Sequence, residues 1–386
     1  MPRCTLNYKR CIRESPMPSK LVSSLLLSAA IALALPAGAQ KKGTASVWLT
    51  TPDRSSLLSL QTPDLRFEKP IAGLPTIEVN SKQKFQSMDG FGFALTGGSA
   101  QLIMRMNAPQ RTALLRELFG IGEGDIGVSY LRVSIGSSDM NDHAFTYDDL
   151  PPGETDADLK KFSLGPDGDS VVPVLKQILA INPSIKILGS PWSAPAWMKD
   201  NDNLKGGSLL PKYYDAYARY FVKYIEQMRA NGIRIDAITP QNEPLNPKNT
   251  PSMVMQASDE ARFISHDLGP AFHKAGIKTK IIVYDHNCDR PDYPLTILAD
   301  PAARRYVDGS GFHLYGGEIT ALTKVHDAYP KKNLYYRADG SGRTRRSVAS
   351  YRISGGTAYC WRAAQLEPQR SAVEPGCGSS VWAAHK

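Results

Sequence analysis

Short apolar runs alternate with amphipathic segments through most of the chain, and this pattern predicts its elements. A short apolar run between turn residues is typical of a buried parallel strand, whereas apolar positions at helical spacing indicate a helix. The runs predict strands over residues 89–95, 128–134, 185–190, 233–238, 280–284, 311–313 and 333–336. The segments between them predict helices over 112–119, 173–181, 213–230, 257–275, 302–307 and 319–329. Such alternation over roughly 250 residues predicts an α/β fold of the (β/α)₈ TIM-barrel type.

Polar and aromatic side chains follow several predicted strands at the point where each strand ends. In a barrel of parallel strands the carboxyl ends meet on one face, which is where the active sites of such barrels lie. Rings suit the C–H faces of sugars, and Asp, Asn and His suit sugar hydroxyls. Any one of these residues taken alone is better explained as a loop-packing or hydrogen-bonded structural group, but their recurrence at five successive strands favours a binding site. They are Arg132, Asp139, Ser190, Trp192, Asn242, Glu243, Asp285, His286, His313 and Tyr315.

The fourth predicted strand ends in Asn242 and Glu243, and Pro244 stops it at once. A carboxyl group beside an amide suits glycoside chemistry, because the acid protonates a leaving oxygen while the amide holds a neighbouring sugar hydroxyl. The alternative is an ordinary strand-to-loop turn with a solvated acid.

The N-terminus has the pattern of a secretion signal. Lys20 precedes an apolar run over 21–35, and small residues at 37–39 form a cleavage site. The run is too short to span a membrane comfortably. We therefore expect residues 1–39 to be a signal peptide, with Met17 as an alternative start. The protein is expected to be exported to the periplasm or the extracellular space, without a stable membrane anchor.

The net charge of +9 is confined to the two ends of the chain. Residues 1–39 carry +4 and residues 337–386 carry +5, so the rest has no net charge. A neutral body argues against a nucleic-acid partner, which needs a basic surface. Of the five cysteines only Cys288 lies outside those ends, and no disulfide framework or metal motif is present. We therefore expect no cofactor and no metal.

Several strand-tip motifs occur together: Asp89-Gly90-Phe91-Gly92, Arg132-Val133, Ser138-Asp139, Ser190-Pro191-Trp192-Ser193-Ala194-Pro195-Ala196-Trp197-Met198-Lys199, Gln241-Asn242-Glu243-Pro244 and His313-Leu314-Tyr315. In this combination they resemble glycoside hydrolase family 30, the glucosylceramidase-like enzymes, over about residues 46–336. The resemblance implies a retaining β-glycosidase.

The resemblance also assigns roles to individual residues. Glu243 corresponds to the general acid/base, and Asn242 to the residue that bonds the sugar 2-hydroxyl. Substrate-binding positions correspond to Asp139, Trp192, His313 and Tyr315.

The second carboxylate of the implied mechanism is absent from the expected position. Retention needs a nucleophile about 5–5.5 Å from the acid/base, and the resemblance places it on the seventh strand, in a stretch like Leu-Tyr-Phe-Thr-Glu-Gln. Here Ala338 occupies that position, and the nearest acid, Asp339, would point to the opposite face of a strand. The nucleophile is therefore predicted to be missing.

The tail after Tyr336 lacks barrel periodicity and is rich in Arg, Ser and Gly. Residues 336–340 can be back-translated so that a reading frame shifted by one nucleotide encodes the expected Thr-Glu-Gln stretch. Residues 364–380 can likewise be back-translated so that the shifted frame encodes a Trp-Asn-Leu string, which resembles the eighth strand of the family. We interpret the tail as a frameshift or truncation, in the gene or in its sequencing. Coding DNA that does not yield this string in the shifted frame would contradict that interpretation.

This interpretation divides the chain into four parts. We expect a signal peptide over 1–39, N-terminal strands of an accessory β-sandwich over 40–85, a barrel over 86–336 and an aberrant tail over 337–386. The barrel is then incomplete at its C-terminal strands, and most of the sandwich is missing. We expect poor solubility and no normal turnover, because an unclosed barrel leaves open strand edges.

The leading functional hypothesis is a retaining β-glycosidase acting on β-glucosides, with glucosylceramide-like glycosphingolipids as the expected substrates. Other activities of the family, namely β-1,6-glucanase, β-xylosidase and xylanase, remain open. A second hypothesis is a non-catalytic carbohydrate-binding remnant, which would bind sugars without turnover.

Overall fold

A computed structural model describes residues 43–57, 59–66, 82–84, 86–122, 124–338 and 358–362. The predicted leader lies outside the described residues. The chain divides into two units, residues 1–76 and 77–386. In the first unit, strands β1 (Thr44–Leu49) and β2 (Ser59–Arg66) pair as an antiparallel ribbon.

The second unit is built on one curled sheet of parallel strands. Its strands follow the chain order from one edge to the other, each pairing with the next: β3 (Gly92–Leu95), β4 (Tyr130–Ile135), β5 (Lys186–Pro191), β6 (Ala237–Ile238), β7 (Lys280–Cys288), β8 (Val307–Gly317), β9 (Asn333–Ala338) and β10 (Ala358–Arg362). Among the described residues no ladder joins β3 to β10. The prediction of a TIM barrel that is incomplete at its C-terminal strands is confirmed.

The helices follow the strands, as in repeated β–α units. They are α1 (Gly97–Arg105), α2 (Ala108–Phe119), α3 (Val171–Ile181), α4 (Tyr214–Ala230), α5 (Ala257–Phe263), α6 (Gly269–Lys274), α7 (Asp292–Ala299), α8 (Pro301–Arg304) and α9 (Thr320–Ala328). Within the part of the chain that the structure describes, none of these helices combines the length and apolarity needed to cross a membrane.

The longest described helix, α4, packs against the core through a face of aromatic residues. Its buried face carries aromatic residues at helical spacing, Tyr217, Tyr220, Phe221 and Tyr224. The rings of Tyr217, Tyr220 and Phe221 meet one another and Phe263 at centroid distances of 4.9–6.4 Å. Aromatic pairs of this kind add about 0.5–1.5 kcal/mol each beyond their buried area.

A separate apolar cluster is contributed by the sheet itself. It comprises one residue from each of five strands: Tyr130, Leu188, Ala237, Ile282 and Tyr335. A barrel interior is filled by layers of side chains that several strands contribute together. Alternation along β4 and β9 then carries Arg132 and Arg337 to the same side as Tyr130 and Tyr335.

The structure departs from the predicted elements in several places. The predicted helix over 257–275 contains a wider π turn, Ile264–Leu268, between α5 and α6. Pro270, which follows that turn, has no backbone N–H to continue an α-helical ladder. Helix α7 was not predicted, and neither was β10, which lies within the segment interpreted as an aberrant tail.

Candidate active site

Five consecutive strands bring polar side chains to one end of the sheet. Arg132 comes from β4, Ser190 from β5, Asp285 from β7 and His313 from β8, while Glu243 follows β6. Their side chains are all buried, with at most 8% of each residue exposed. The strand tips singled out in the sequence therefore do form one cluster.

Asp285 is the most enclosed acid of this cluster. Its Oδ2 accepts hydrogen bonds from Arg132 Nη2 at 2.7 Å, Ser190 Oγ at 2.8 Å and Thr239 Oγ1 at 3.0 Å. Its Oδ1 lies 2.8 Å from His313 Nε2. Burial alone would raise the pKa of Asp285, but the charges of Arg132 and His313 hold it well below its usual range. Asp285 is therefore a permanent anion that orients its neighbours.

His313 connects Asp285 to Glu243. Its Nδ1 lies 3.0 Å from Glu243 Oε1, and its exposed fraction is 0%. Both of its ring nitrogens therefore lie at hydrogen-bonding distance from carboxylate oxygens. The line Asp285–His313–Glu243 therefore fixes the position of Glu243.

Glu243 is held as a carboxylate. Its Oε2 accepts a second hydrogen bond from Asn246 Nδ2 at 2.8 Å. Burial raises the pKa of Glu243, but the hydrogen bond and charge of His313 outweigh it, and the pKa falls to about 2. The residue also adopts a positive φ of 48°, a strained conformation for a non-glycine residue that is often found at functional sites.

Asn242 lies beside Glu243, as the sequence predicts. Its Oδ1 accepts from Arg132 Nη2 at 2.7 Å, and the residue is buried. Because the oxygen is engaged, the amide nitrogen is the group of this side chain that remains to donate to a ligand. A donor beside a carboxylate is the arrangement expected for holding a sugar hydroxyl next to the bond that breaks.

Trp192 supplies an apolar wall to the same cluster. The Arg132 guanidinium lies 4.6 Å from the centroid of its ring. Gln241 Nε2 donates to the Trp192 backbone oxygen at 2.7 Å and fixes the loop. The indole Nε1 is buried without a hydrogen-bond partner, so it can donate to a ligand oxygen.

Tyr315 and Asp139 lie at the exposed rim. Half of Tyr315 is exposed (51%), and its ring meets His313 edge-on at 6.1 Å between centroids. Desolvation raises the pKa of Asp139, and the charge of Arg337 lowers it in part. Glu243 also acts on the pKa of Asp139, so both predicted rim residues belong to the same site.

Arg337 is the site residue that sequence reasoning missed. It pairs directly with His313 in the β8–β9 ladder, and its guanidinium lies 5.2 Å from the centroid of the Tyr315 ring. Ala338, the position at which the nucleophile is expected, is the last residue of β9. Asp339 lies outside the described residues. The signal that could have identified Arg337 is its spacing of two from the inward-facing Tyr335.

Trp197 and Lys199, which also belong to the 190–199 motif, have structural contacts. Trp197 Nε1 donates to the Asp148 backbone oxygen at 2.9 Å, within the core. Lys199 Nζ donates to Ser193 Oγ at 2.9 Å and to the Ser252 backbone oxygen at 2.8 Å. Burial lowers the pKa of Lys199 to about 7. These contacts brace the loop that carries Trp192.

The described residues contain no group of three or more His, Cys, Asp or Glu side chains placed to hold a metal ion. The chemistry that the cluster itself supports is proton transfer by Glu243 and hydrogen bonding to a hydroxyl-rich ligand.

Comparison with known proteins identifies a family and several relatives. The glycosyl hydrolase family 30 TIM-barrel domain matches residues 88–353. An endo-1,6-beta-D-glucanase of Neurospora crassa is 38% identical over 268 residues, which are 67% of this chain and 55% of that protein. The lysosomal acid glucosylceramidase of Mus musculus is 31% identical over 278 residues, which are 67% and 52% of the two chains.

A solved endo-beta1,6-glucanase structure shares 37% identity with a TM-score of 0.68, over 77% of this chain and 66% of that one. The chain spans about half the length of the two curated relatives.

Proposed function

The chain belongs to glycosyl hydrolase family 30, and on that basis we propose that it is a β-glycosidase in which Glu243 is the acid/base residue. The observation that carries this proposal is the pair Asn242–Glu243 at the tip of β6, held by Arg132 and His313. A buried acid beside an amide donor, with an indole N–H close by, matches what hydrolysis of a sugar acetal needs.

For the substrate, β-1,6-linked glucan is proposed first. The support is the identity of 38% with a curated endo-1,6-beta-D-glucanase and of 37% with a solved one. Glucosylceramide, the substrate class expected from the sequence, is the second candidate, supported by the identity of 31% with lysosomal acid glucosylceramidase. Export of the protein, directed by residues 1–39, is part of the same proposal and gives access to an extracellular polysaccharide.

The missing carboxylate at 338 makes this chain inactive by the retaining route. The experiment therefore compares the parent chain with Ala338→Glu and with Ala338→Glu/Glu243→Gln, all purified and checked for folding by circular dichroism. Sugar release is measured from β-1,6-glucan and glucosylceramide, with β-1,4-xylan as the control polymer.

We expect Ala338→Glu to hydrolyse β-1,6-glucan. The added Glu243→Gln change should slow it about 10²–10⁴-fold, the usual contribution of a general acid/base. A folded Ala338→Glu variant that releases no sugar from either glucoside would refute the proposed activity. Release from glucosylceramide alone would reverse the order of the two substrates.

A further inference from the structure

The loop that follows β6 folds back onto the side chain of Glu243. Glu243 Oε2 accepts hydrogen bonds from Asn246 Nδ2 at 2.8 Å and from Asn249 Nδ2 at 3.4 Å. Both asparagines are partly exposed, whereas Glu243 is buried. Two partly exposed amide groups therefore contact the carboxylate oxygen that does not face His313.

The orientation of the Asn246 amide is set by its own loop. Asn246 Oδ1 accepts from the Lys248 backbone N–H at 3.0 Å, so the oxygen is engaged and the nitrogen faces Glu243. The Asn246 backbone N–H donates to the Glu243 carbonyl oxygen at 2.9 Å, which closes a turn directly after the acid. In the same turn the Leu245 backbone N–H donates to His286 Nδ1 at 3.4 Å. The amide that contacts the acid is thus positioned by a hydrogen-bonded turn.

These contacts hold Glu243 in the form that cannot donate a proton. Burial raises the pKa of Glu243, but the hydrogen bond and charge of His313 and the hydrogen bond of Asn246 lower it to about 2. A general acid must carry a proton towards the leaving oxygen, and amide N–H donors occupy the lone pairs of Oε2 that such a proton needs. His313 is fully buried, with both ring nitrogens at hydrogen-bonding distance from carboxylates. The amides on the partly exposed loop are therefore the donors that a ligand can draw away from the acid.

The two amides lie next to the place where a leaving group must bind. A general acid acts within hydrogen-bonding distance of the oxygen that it protonates, and Asn246 and Asn249 contact that same acid. Hydroxyl oxygens of a sugar are acceptors for amide N–H groups, whereas a hydrocarbon chain has no acceptor. A leaving group that is itself a sugar can therefore accept the hydrogen bonds that Glu243 Oε2 accepts in the free protein.

We propose that Asn246 and Asn249 bind the sugar on the leaving-group side, and that a hydroxyl oxygen of this sugar takes over their N–H donors. Glu243 Oε2 is then open to a proton from solvent, which it passes to the leaving oxygen as the bond from that oxygen to C1 breaks. The electron pair of this bond stays with the leaving oxygen, and a carboxylate at 338, where one is present, forms the new bond to C1.

The inference rests on the proposed function, because it assumes that a β-glucoside binds against Glu243. It adds a preference to that function, because the acid becomes protonated most readily when the leaving group is a second sugar. A β-linked glucan meets this requirement along its whole length, whereas a glucoside with a plain alkyl chain does not.

The first test measures binding to the full chain, which should bind glucosides without turnover because residue 338 is alanine. Isothermal titration calorimetry compares gentiobiose, a β-1,6-linked disaccharide of glucose, with methyl β-glucoside, which lacks the second sugar. We expect Asn246→Ala to weaken the binding of gentiobiose about five- to tenfold, the effect of a lost hydrogen bond. The binding of methyl β-glucoside should weaken much less, because that ligand offers the amide no hydroxyl on the leaving-group side.

The second test measures hydrolysis by Ala338→Glu with and without the added Asn246→Ala change. Gentiobiose is compared with octyl β-glucoside, whose leaving alcohol needs a proton but carries no further hydroxyl. We expect kcat/KM for gentiobiose to fall about tenfold with the lost contact. Turnover of octyl β-glucoside should rise, because Glu243 Oε2 takes a proton more readily without its amide donor. A loop with only a structural role would slow both substrates together.

Two more variants complete the design. Asn203→Ala is the matched control, because Asn203 Oδ1 accepts from the Lys205 backbone N–H at 2.8 Å in the same kind of turn; it should change neither ligand binding nor turnover. Asn249→Ala removes the longer contact and should act as Asn246→Ala does, with a smaller effect. It decides the outcome if circular dichroism shows that Asn246→Ala does not fold. Equal weakening of both ligands, or equal slowing of both substrates, would overturn the inference.

Failure of this inference is distinguishable from failure of the proposed function. If Ala338→Glu hydrolyses both glucosides and the asparagine variants do not change its preference, the sugar site at the loop is refuted and the glycosidase proposal stands. If Ala338→Glu releases no sugar but the contrast in binding is found, the glycosidase proposal is refuted and the sugar site stands. If the folded parent chain binds neither gentiobiose nor methyl β-glucoside, both are refuted.

Discussion

Replacing Arg132 with methionine is the change that most directly tests the electrostatic frame of the site. Arg132 and Asp285 are each 1% exposed, with 2.7 Å between Nη2 and Oδ2. Removing one partner of such a buried pair leaves an uncompensated charge and costs about 3–5 kcal/mol. That is a large share of a total stability of about 5–15 kcal/mol. We therefore expect Arg132→Met to unfold at a much lower urea concentration than the parent.

The matched control is an ion pair of the same type at the surface. Arg219 and Asp215 lie one helical turn apart on α4, and their side chains are 40% and 76% exposed. Arg219→Met should therefore lower the free energy of unfolding by no more than about 0.5 kcal/mol. Tryptophan fluorescence reports both transitions, and Trp192, which stacks on Arg132, should also change its native signal in Arg132→Met.

Two further measurements test whether the unpaired buried charge causes the loss of stability in Arg132→Met. The double variant Arg132→Met/Asp285→Asn should be less destabilised than the two single costs added together, because no buried charge remains. The pKa of Asp285 is depressed in the folded chain, so its stabilisation is present above the unfolded pKa of about 3.9 and is lost as pH falls. The difference between parent and Arg132→Met should therefore shrink from pH 7 towards pH 3. If Arg132→Met lowers the free energy of unfolding by less than about 1 kcal/mol, or by an amount that does not depend on pH, this account is refuted.

The remaining predictions address other parts of the chain. In Gly92→Ala the new Cβ would lie 1.5 Å from the Tyr130 backbone oxygen, so the β3–β4 ladder cannot form and soluble yield should collapse; normal yield would contradict this. Burial, then Asp156, raises the pKa of Asp148 to about 7. The folded state therefore loses stability as pH rises from about 4 to 7. The thermal midpoint of Asp148→Asn minus that of the parent should be larger at pH 8 than at pH 5. In Ala338→Glu the added carboxylate should raise the pKa of Glu243, so the alkaline limb of the kcat profile of this variant should lie well above pH 2, the pKa of Glu243 in the parent chain being about 2; an alkaline limb near pH 2 would contradict this.

The periodicity of the sequence was sufficient to predict the parallel sheet. It was also sufficient to predict which strand tips lie close together. The strands that carry or lead into Arg132, Ser190, Glu243 and His313 were each recognisable as short, mostly apolar runs, because parallel strands are buried on both faces. Parallel pairing then forces their ends together. The same reasoning placed Asn242 beside Glu243 in the chain, and the structure retains that juxtaposition.

The contacts within the site were not predictable from that pattern. That His313 bridges Glu243 and Asp285 depends on the stagger of β7 against β8, which contains register shifts. Arg337 was overlooked because a basic residue at the start of an irregular tail reads as solvent-exposed. Its orientation follows only from the β8–β9 register, which pairs it with His313.

The charges around Glu243 bear on the proposed function. Arg132 forms a direct ion pair with Asp285, while Glu243 is held by His313 and Asn246. A second carboxylate at 338, which the retaining route requires, would add a negative charge beside Glu243. Because a like charge disfavours ionisation, that carboxylate should move Glu243 away from a permanent carboxylate and towards the protonated form that a leaving alcohol requires.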